Sequence, residues 1–538
     1  MTQLSKRPDL LGLCVFLTAI LIGSVGLFTY FSFDDYIYLH RAEEHASSLR
    51  TFFAPFYTFN PWLYYRPLPT VFWVVVFWLF GAWPAPYSLG VILVFAAMVF
   101  FIYRVGYLLA GRAAGLISCL LVSLYFPIYS VAWSRWFSSL QMELFFLASA
   151  MFYLLRWAKS EPGPNERTCL PVTGILLMVG AFLSKETSFL APLLLPLLAP
   201  KRRVVRLSAG LFFLGILIFL ASRTLITSRF PLRAVRFEFS PIVRNLEFFL
   251  REHFLFFLPA SLIILAALAW GNRNRHIWLL VSVALFTAMN TLFGYTVAAH
   301  RLKLAICLAA VIYCVLKAPA MARFALGWAA LLLVPPLLVG ELTLHQSAES
   351  FLGLSLFIGI GAARQTRLFR TVMASKSKVE SPGYKVGSWI KSAAGSKLGL
   401  VSLLRITGAF ACVLLLIYAA FAIVSLNVRI GVAEAQRMVQ SSRLTRDVRE
   451  YLCGMHGSGL TIHSTNLPAL ISVPDIPFDA RLHGCQLNVD DDLSAEDGVF
   501  VVADGAPQAT VAEIRSRSRL ITRLVREPYY VMVFSTSD

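Results

Sequence analysis

The chain has 538 residues, 58% of them hydrophobic and only 14% charged, and a formal net charge of +19. Its apolar residues fall into recurrent runs near the length of about 20 that carries a helix across a bilayer, which excludes an ordinary water-soluble enzyme. Polar punctuation at Arg104, Arg156 and Lys201 to Arg203 separates long runs and not alternating short ones, so a barrel is excluded, and the positive excess sits largely in short loops that set orientation, so no nucleic-acid partner is expected.

The expected fold is mainly α: a polytopic helical membrane bundle of roughly eleven to thirteen spans, residues 1–426, followed by a small extracytoplasmic α/β domain, residues 427–538. Lys6 and Arg7 precede the first apolar run, Leu10 to Tyr30, which lacks a small-residue cleavage site and so reads as a retained anchor with a cytoplasmic N-terminus. Just beyond it stand Asp34 and Asp35. Two adjacent acids repel, so one holds its proton more tightly and becomes a usable general base; the plain alternative is an interfacial turn with solvated aspartates.

Pro67 to Trp83 is apolar but short for a span, with Pro67 and Pro69 at its start. Read as a helix lying flat on the outer surface, it keeps Asp34, Asp35, Tyr65 and Arg66 on one external loop, residues 31–85, and lets the next run, Pro86 to Tyr103, deliver Arg104 and Arg112 to the cytoplasmic side. Alternation continues through Ala113 to Ala132, Ser138 to Leu155, Leu170 to Leu183 and Leu190 to Leu198, which makes the hairpin carrying Ser184, Lys185 and Glu186 external. Further runs follow at Leu207 to Ile226, Phe254 to Trp270, Ile277 to Val297, Leu302 to Leu316, Phe324 to Val339 and Leu352 to Ala363. The basic stretch from Arg364 to Lys397 reads as a flexible cytoplasmic loop, and Leu398 to Leu426 as the last span.

Beyond it the composition becomes that of a soluble domain. Val428 to Leu452 reads as a helix, Leu460 to His463 and Val499 to Ala503 as strands, Val511 to Leu524 as a helix and Tyr529 to Phe534 as a final strand. Cys14, Cys119, Cys169, Cys307, Cys314 and Cys412 lie within or beside apolar runs, and no zinc-ligand spacing appears. Cys453 and Cys485 could pair if their domain is extracytoplasmic.

Several motifs share the external face: Phe33-Asp34-Asp35-Tyr36, Tyr65-Arg66-Pro67-Leu68, Leu79-Phe80-Gly81, Val131-Ala132-Trp133 with Arg135, and Leu183-Ser184-Lys185-Glu186 followed by Pro192. In order and spacing, over roughly the first 200 residues, they resemble the GT-C glycosyltransferases, especially the protein O-mannosyltransferase-like branch that includes the transmembrane tetratricopeptide O-mannosyltransferases and the lipid A aminoarabinose transferase. The tetratricopeptide array of one branch is absent from the sequence. The resemblance implies an enzyme of the bacterial inner membrane that takes a sugar from a polyprenyl-phosphate donor and transfers it, with inversion, to a protein, lipid or surface-glycan acceptor on the external face of that membrane.

On that resemblance Asp34 or Asp35 is the catalytic base, the other carboxylate orienting it, binding the acceptor or holding a divalent cation. Arg66, Lys185 and Arg301 would bind the donor phosphate, with Tyr65, Arg135 and Glu186 in support. Plainer roles stand beside these: snorkelling for Arg66, a local ion pair for Lys185 and Glu186, an interfacial anchor for Arg301 in the His300 to Lys303 hairpin. Arg135 is expected to pair with Glu143 in the following span, since an unpaired buried acid is costly. The basic loop of Arg229, Arg233, Arg236, Arg244 and Arg251 could attract phosphate or simply be solvated. A transporter or lipid flippase is the alternative function, although no repeated halves are visible, and a noncatalytic assembly or sensor protein is a third.

Overall fold

The structure, a computed structural model, describes residues 10–31, 34–56, 65–135, 138–159, 171–227, 319–338, 348–377, 429–433, 435–440, 442–454, 460–464, 481, 485, 487–490, 499–503, 508–526 and 529–535. The expected spans at 254–270, 277–297, 302–316 and 398–426 lie outside these residues, as do Arg301 and the basic loop around Arg236.

The protein is an integral membrane helical bundle with a small C-terminal α/β domain. Backbone polar groups have no water to bond to in lipid, and helices satisfy them internally. α1 (Leu10–Gly23) continues as a 3-10 helix to Phe28. α2 (Asp34–His45) is polar, and α3 (Pro67–Phe80) starts on two prolines, whose fixed φ and missing N–H suit a helix's first turn. α4 (Pro84–Ala110) and α5 (Arg112–Leu124) meet at Gly111, whose φ of 91° breaks the helix. α6 (Ser138–Lys159), α7 (Val172–Ser184), α8 (Arg202–Thr227), α9 (Ala320–Leu331) and α10 (Ala348–Ser377) complete the described bundle. Between α7 and α8 the chain runs as a 3-10 helix from Glu186 to Leu194 before a last turn, Leu195–Leu198.

Among the described residues, four helices are long and apolar enough to cross a membrane: Leu10–Phe28, Pro84–Ala110, Ser138–Lys159 and Arg202–Ala221. α1 turns Leu10, Leu13, Leu17 and Leu21 outward and α8 turns out Phe213, Leu217 and Leu220, apolar surface that a water-soluble protein would cover and that lipid solvates. α6 lies at the centre, with Leu140, Leu144, Leu147, Met151, Leu154 and Leu155 all buried.

The loop expected from Arg364 is corrected in its first part: α10 carries on as one helix to Ser377. Arg364, Gln365 and Arg367 to Arg370 are compatible with helix, so the loss of hydropathy there marks only where the helix ceases to be apolar.

In the C-terminal part, residues 442–454 form helix α11. A five-stranded sheet follows, built from β1 (Leu460–Ser464), β2 (Leu487–Asp490), β3 (Val499–Ala503), β4 (Arg519–Arg526) and β5 (Tyr529–Ser535) in the order β2-β1-β3-β5-β4. β1 is parallel to β2 and β3, while β5 runs antiparallel between β3 and β4. Val499, Val501, Val531 and Val533 pack on Leu444, Val448 and Leu452 of α11. The opposite face, Phe500, Val502, Met532 and Phe534, packs on Ile514 of α12 (Gln508–Arg517). The single helix expected over 511–524 is therefore corrected to a short helix and a strand: Leu520, Thr522 and Leu524 fall on β5 partners, and pairing with that strand overrides a helical pattern too short to hold alone.

Candidate active site

α2 begins a few residues after the 3-10 helix that ends α1, and it is pinned there by a buried ion pair. Arg135 Nε stands 3.4 Å from Asp35 Oδ2, with side chains 2% and 1% exposed. The rest of the guanidinium is bound as well: Nη1 donates to Ser88 Oγ at 2.6 Å and to Thr29 Oγ1 at 3.1 Å, and Nη2 donates to the Tyr30 carbonyl. Its carbon lies 5.0 Å from the Phe31 ring centroid. Burial pulls the Arg135 pKa down, and the Asp35 charge acts against that shift.

An aromatic wall backs the pair. Phe31 meets Tyr36 and Tyr87 edge-on, Tyr38 stacks on Trp73 at 5.3 Å, and Trp73 Nε1 donates to Ser138 Oγ at 3.0 Å. At the next residue, Ser139 Oγ accepts from Arg66 Nη1 at 3.4 Å. Tyr65 donates to the Phe56 carbonyl at 3.1 Å, bracing the approach to α3, and burial raises its phenol's pKa.

One turn further along α6, Glu143 is fully buried. Its partners come from the α7 hairpin: Lys185 Nζ lies 3.4 Å from Glu143 Oε2, and Thr187 Oγ1 lies 2.8 Å from Glu143 Oε1. A second acid joins them, Glu349 at the start of α10, with Oε1 2.6 Å from Lys185 Nζ and 2.8 Å from Thr187 Oγ1. Burial works to lower the Lys185 pKa, yet Glu349 and Glu143 outweigh it and hold the ammonium above the ordinary lysine range, while the nearby Arg66 charge pushes the other way.

Three sequence-distant stretches thus hang on residues 135–143: Asp35 on Arg135, Arg66 on Ser139, Lys185 on Glu143. The expected Arg135–Glu143 pair is corrected. Each has a different partner, because α6 carries Glu143 two turns away from Arg135, toward the hairpin and α10. Asp34 and Glu186 lie in described helices, Asp34 opening α2 and Glu186 directly following Lys185, but their side chains are outside what the structure describes. Glu349 was not singled out from the sequence. An acid opening an apolar run needs a partner, and that requirement was the available signal.

Asp35 faces the Arg135 guanidinium, and among the described residues no group of three or more His, Cys, Asp or Glu side chains stands together. Hard cations require several oxygen ligands converging on one point.

Fold and site together define a polytopic membrane protein with an ion-paired aspartate and two cations gathered at one end of a central helix. No family model matches the sequence, and no curated protein matches it. Among solved structures the chain is similar to ArnT from Cupriavidus metallidurans bound to undecaprenyl phosphate, at 15% identity and a TM-score of 0.46 over 97% of each chain. It is similar to the same protein in the apo state, at 15% identity and 0.46 over 98% of each. The archaeal oligosaccharyltransferase AglB from Archaeoglobus fulgidus, in complex with an inhibitory peptide and a dolichol-phosphate, shares 11% identity and a TM-score of 0.43 over 91% of this chain and 69% of that one.

Proposed function

We propose that this chain is an integral-membrane glycosyltransferase that moves a sugar from a polyprenyl-phosphate donor to a hydroxyl of a protein, lipid or surface-glycan acceptor on the external face. The observation that carries the reading is the gathering of Asp35, Arg66 and Lys185, far apart in sequence, on residues 135–143. In the reaction the acceptor oxygen attacks the anomeric carbon as the bond to phosphate oxygen breaks. The phosphate departs with the electron pair, and a carboxylate takes the acceptor's proton.

The two aspartates divide the work. Asp35, buried against Arg135, fixes the start of α2, and Asp34 takes the proton. Arg66, half-buried and forked, meets the charge that grows on the departing phosphate, with the Lys185 cluster behind it and Arg301 completing the set by its sequence motif. Residues 1–426 form the catalytic membrane domain and residues 427–538 an extracytoplasmic domain, in keeping with the Cys453–Cys485 disulfide.

Purified protein supplied with a panel of polyprenyl-phosphate sugars is the test, read as release of the lipid phosphate. Asp34→Asn is expected to abolish release while retaining donor binding, and Arg66→Ala to weaken donor binding about tenfold or more. Equal turnover in wild type and both variants would remove the mechanism. Movement of the lipid across vesicles with no bond broken would favour a transporter instead.

A further inference from the structure

α2, which opens with the two aspartates, is gripped at both ends by the C-terminal domain. At its leading end the grip runs through Tyr30. The Tyr30 carbonyl accepts from Arg135, the partner of Asp35. Its amide donates to Ser442 Oγ at 3.0 Å, its hydroxyl accepts from Arg449 Nη1 at 2.7 Å, and the Arg449 guanidinium lies 5.5 Å from its ring centroid. Ser442 and Arg449 both belong to α11, and Arg449 is buried although it stands outside the bundle. On the other side of the ion pair, Ser134, the neighbour of Arg135, donates to Met438 Sδ at 3.5 Å.

At its trailing end α2 is held by a second arginine of the same domain. Arg481 Nη2 donates to Glu43 Oε2 at 2.6 Å. The two grips are covalently joined: Cys453, one helical turn beyond Arg449, is bonded to Cys485, four residues beyond Arg481, with Cα atoms 5.9 Å apart.

We infer that Arg449 and Arg481 are positioning residues, a two-point clamp through which the C-terminal domain sets the placement of the aspartate helix, and that the Cys453–Cys485 disulfide keeps the second point in register with the first. The catalytic part of this inference rests on the glycosyltransferase reading; the clamp itself does not. An exposed pair such as Arg481–Glu43 contributes little to global stability. Its effect is local, because it acts on a short polar helix whose own propensity cannot hold it.

The test is hydrogen–deuterium exchange on the full chain in nanodiscs, with sugar release measured in parallel. Arg481→Ala is expected to speed exchange at the C-terminal half of α2 about twofold, leaving Tyr30 protected. Arg449→Ala is expected to speed exchange at Tyr30 and the first turn of α2 about tenfold, with Arg449→Lys restoring part of the protection. Reducing the disulfide with a phosphine should reproduce the Arg481→Ala pattern in wild type and add nothing in Arg481→Ala. In the activity arm kcat falls while the KM for donor holds, since the donor cations lie elsewhere. Unchanged exchange in α2 on loss of Arg481 and Arg449 overturns the clamp, and loosened exchange with unchanged kcat overturns the positioning role. If wild type turns over no sugar donor, the glycosyltransferase reading fails and the exchange pattern alone decides the clamp.

Discussion

Thr187 has one hydroxyl proton and two carboxyl oxygens at 2.8 Å, Glu143 Oε1 and Glu349 Oε1. It can donate to only one of them, so the two acids have Thr187 and Lys185 as shared partners. This predicts non-additive losses. Glu143→Gln or Glu349→Gln alone leaves Lys185 one carboxylate and should cost less than about 1 kcal/mol, whereas the double substitution strands the Lys185 charge and should cost about 3–5 kcal/mol. A double-mutant cycle on unfolding in detergent measures it, and simple additivity would rule out the shared counter-charge. Asp35, Arg66 and Lys185 were legible in the sequence because each interrupts an apolar context at a short motif. Their partners were not, since Ser139, Glu143 and Glu349 acquire meaning only when α6, α7 and α10 are brought side by side. Arg135 shows the same limit: sequence demanded a partner for it and supplied the wrong one.

Helices in lipid gain little from the hydrophobic effect against each other, so close contact at small residues holds them together. α4 and α5 meet at Gly106 and Gly115. A Cβ at Gly115 would sit 2.5 Å from the Tyr103 carbonyl oxygen, and one at Gly106 would sit 2.8 Å from the Gly115 Cα. Backbone cannot swing aside as a side-chain tip can. Gly115→Val should therefore force the pair apart and lower the midpoint of thermal unfolding by several degrees, about 1–3 kcal/mol of overpacking, whereas Gly210→Val in α8, whose Cβ meets nothing within 4 Å, should leave it unmoved. Differential scanning fluorimetry in one detergent compares the two directly. The existence and order of the described apolar helices were readable, because runs such as Pro86 to Tyr103 carry the signal of transfer into lipid. Their ends were not: hydropathy reports where a helix leaves the apolar layer, so α10 was cut at Ala363 although its backbone continues to Ser377. β4 was missed for a related reason, since Val511 to Leu524 offers enough helical spacing to hide the turn at Ser518.

At the scale of the whole chain, two cores of different origin stand side by side. The bundle is built on α6 and solvated by lipid, while β3 and β5 bury Val501, Val533, Phe500 and Phe534 between α11 and α12. The described polar links between them are the Tyr30–Arg449–Ser442 cluster, Ser134–Met438 and Glu43–Arg481, with Ala435 and Met438 packed on the bundle's core. Links of this kind can place a helix without merging two folding units, because their strength is small beside either core. Phe534→Ala empties a fully buried site in the smaller core and should cost that core about 3–5 kcal/mol. In calorimetry of the protein in nanodiscs the expected result is a lower transition for residues 427–538 and an unmoved transition for the bundle. Exchange at α2 should rise in the temperature interval between the two, where the clamp has melted and the bundle still stands. One transition that shifts as a whole would mean that the sheet and the spans fold as a single unit, and that the boundary near residue 427 divides composition but not cooperativity.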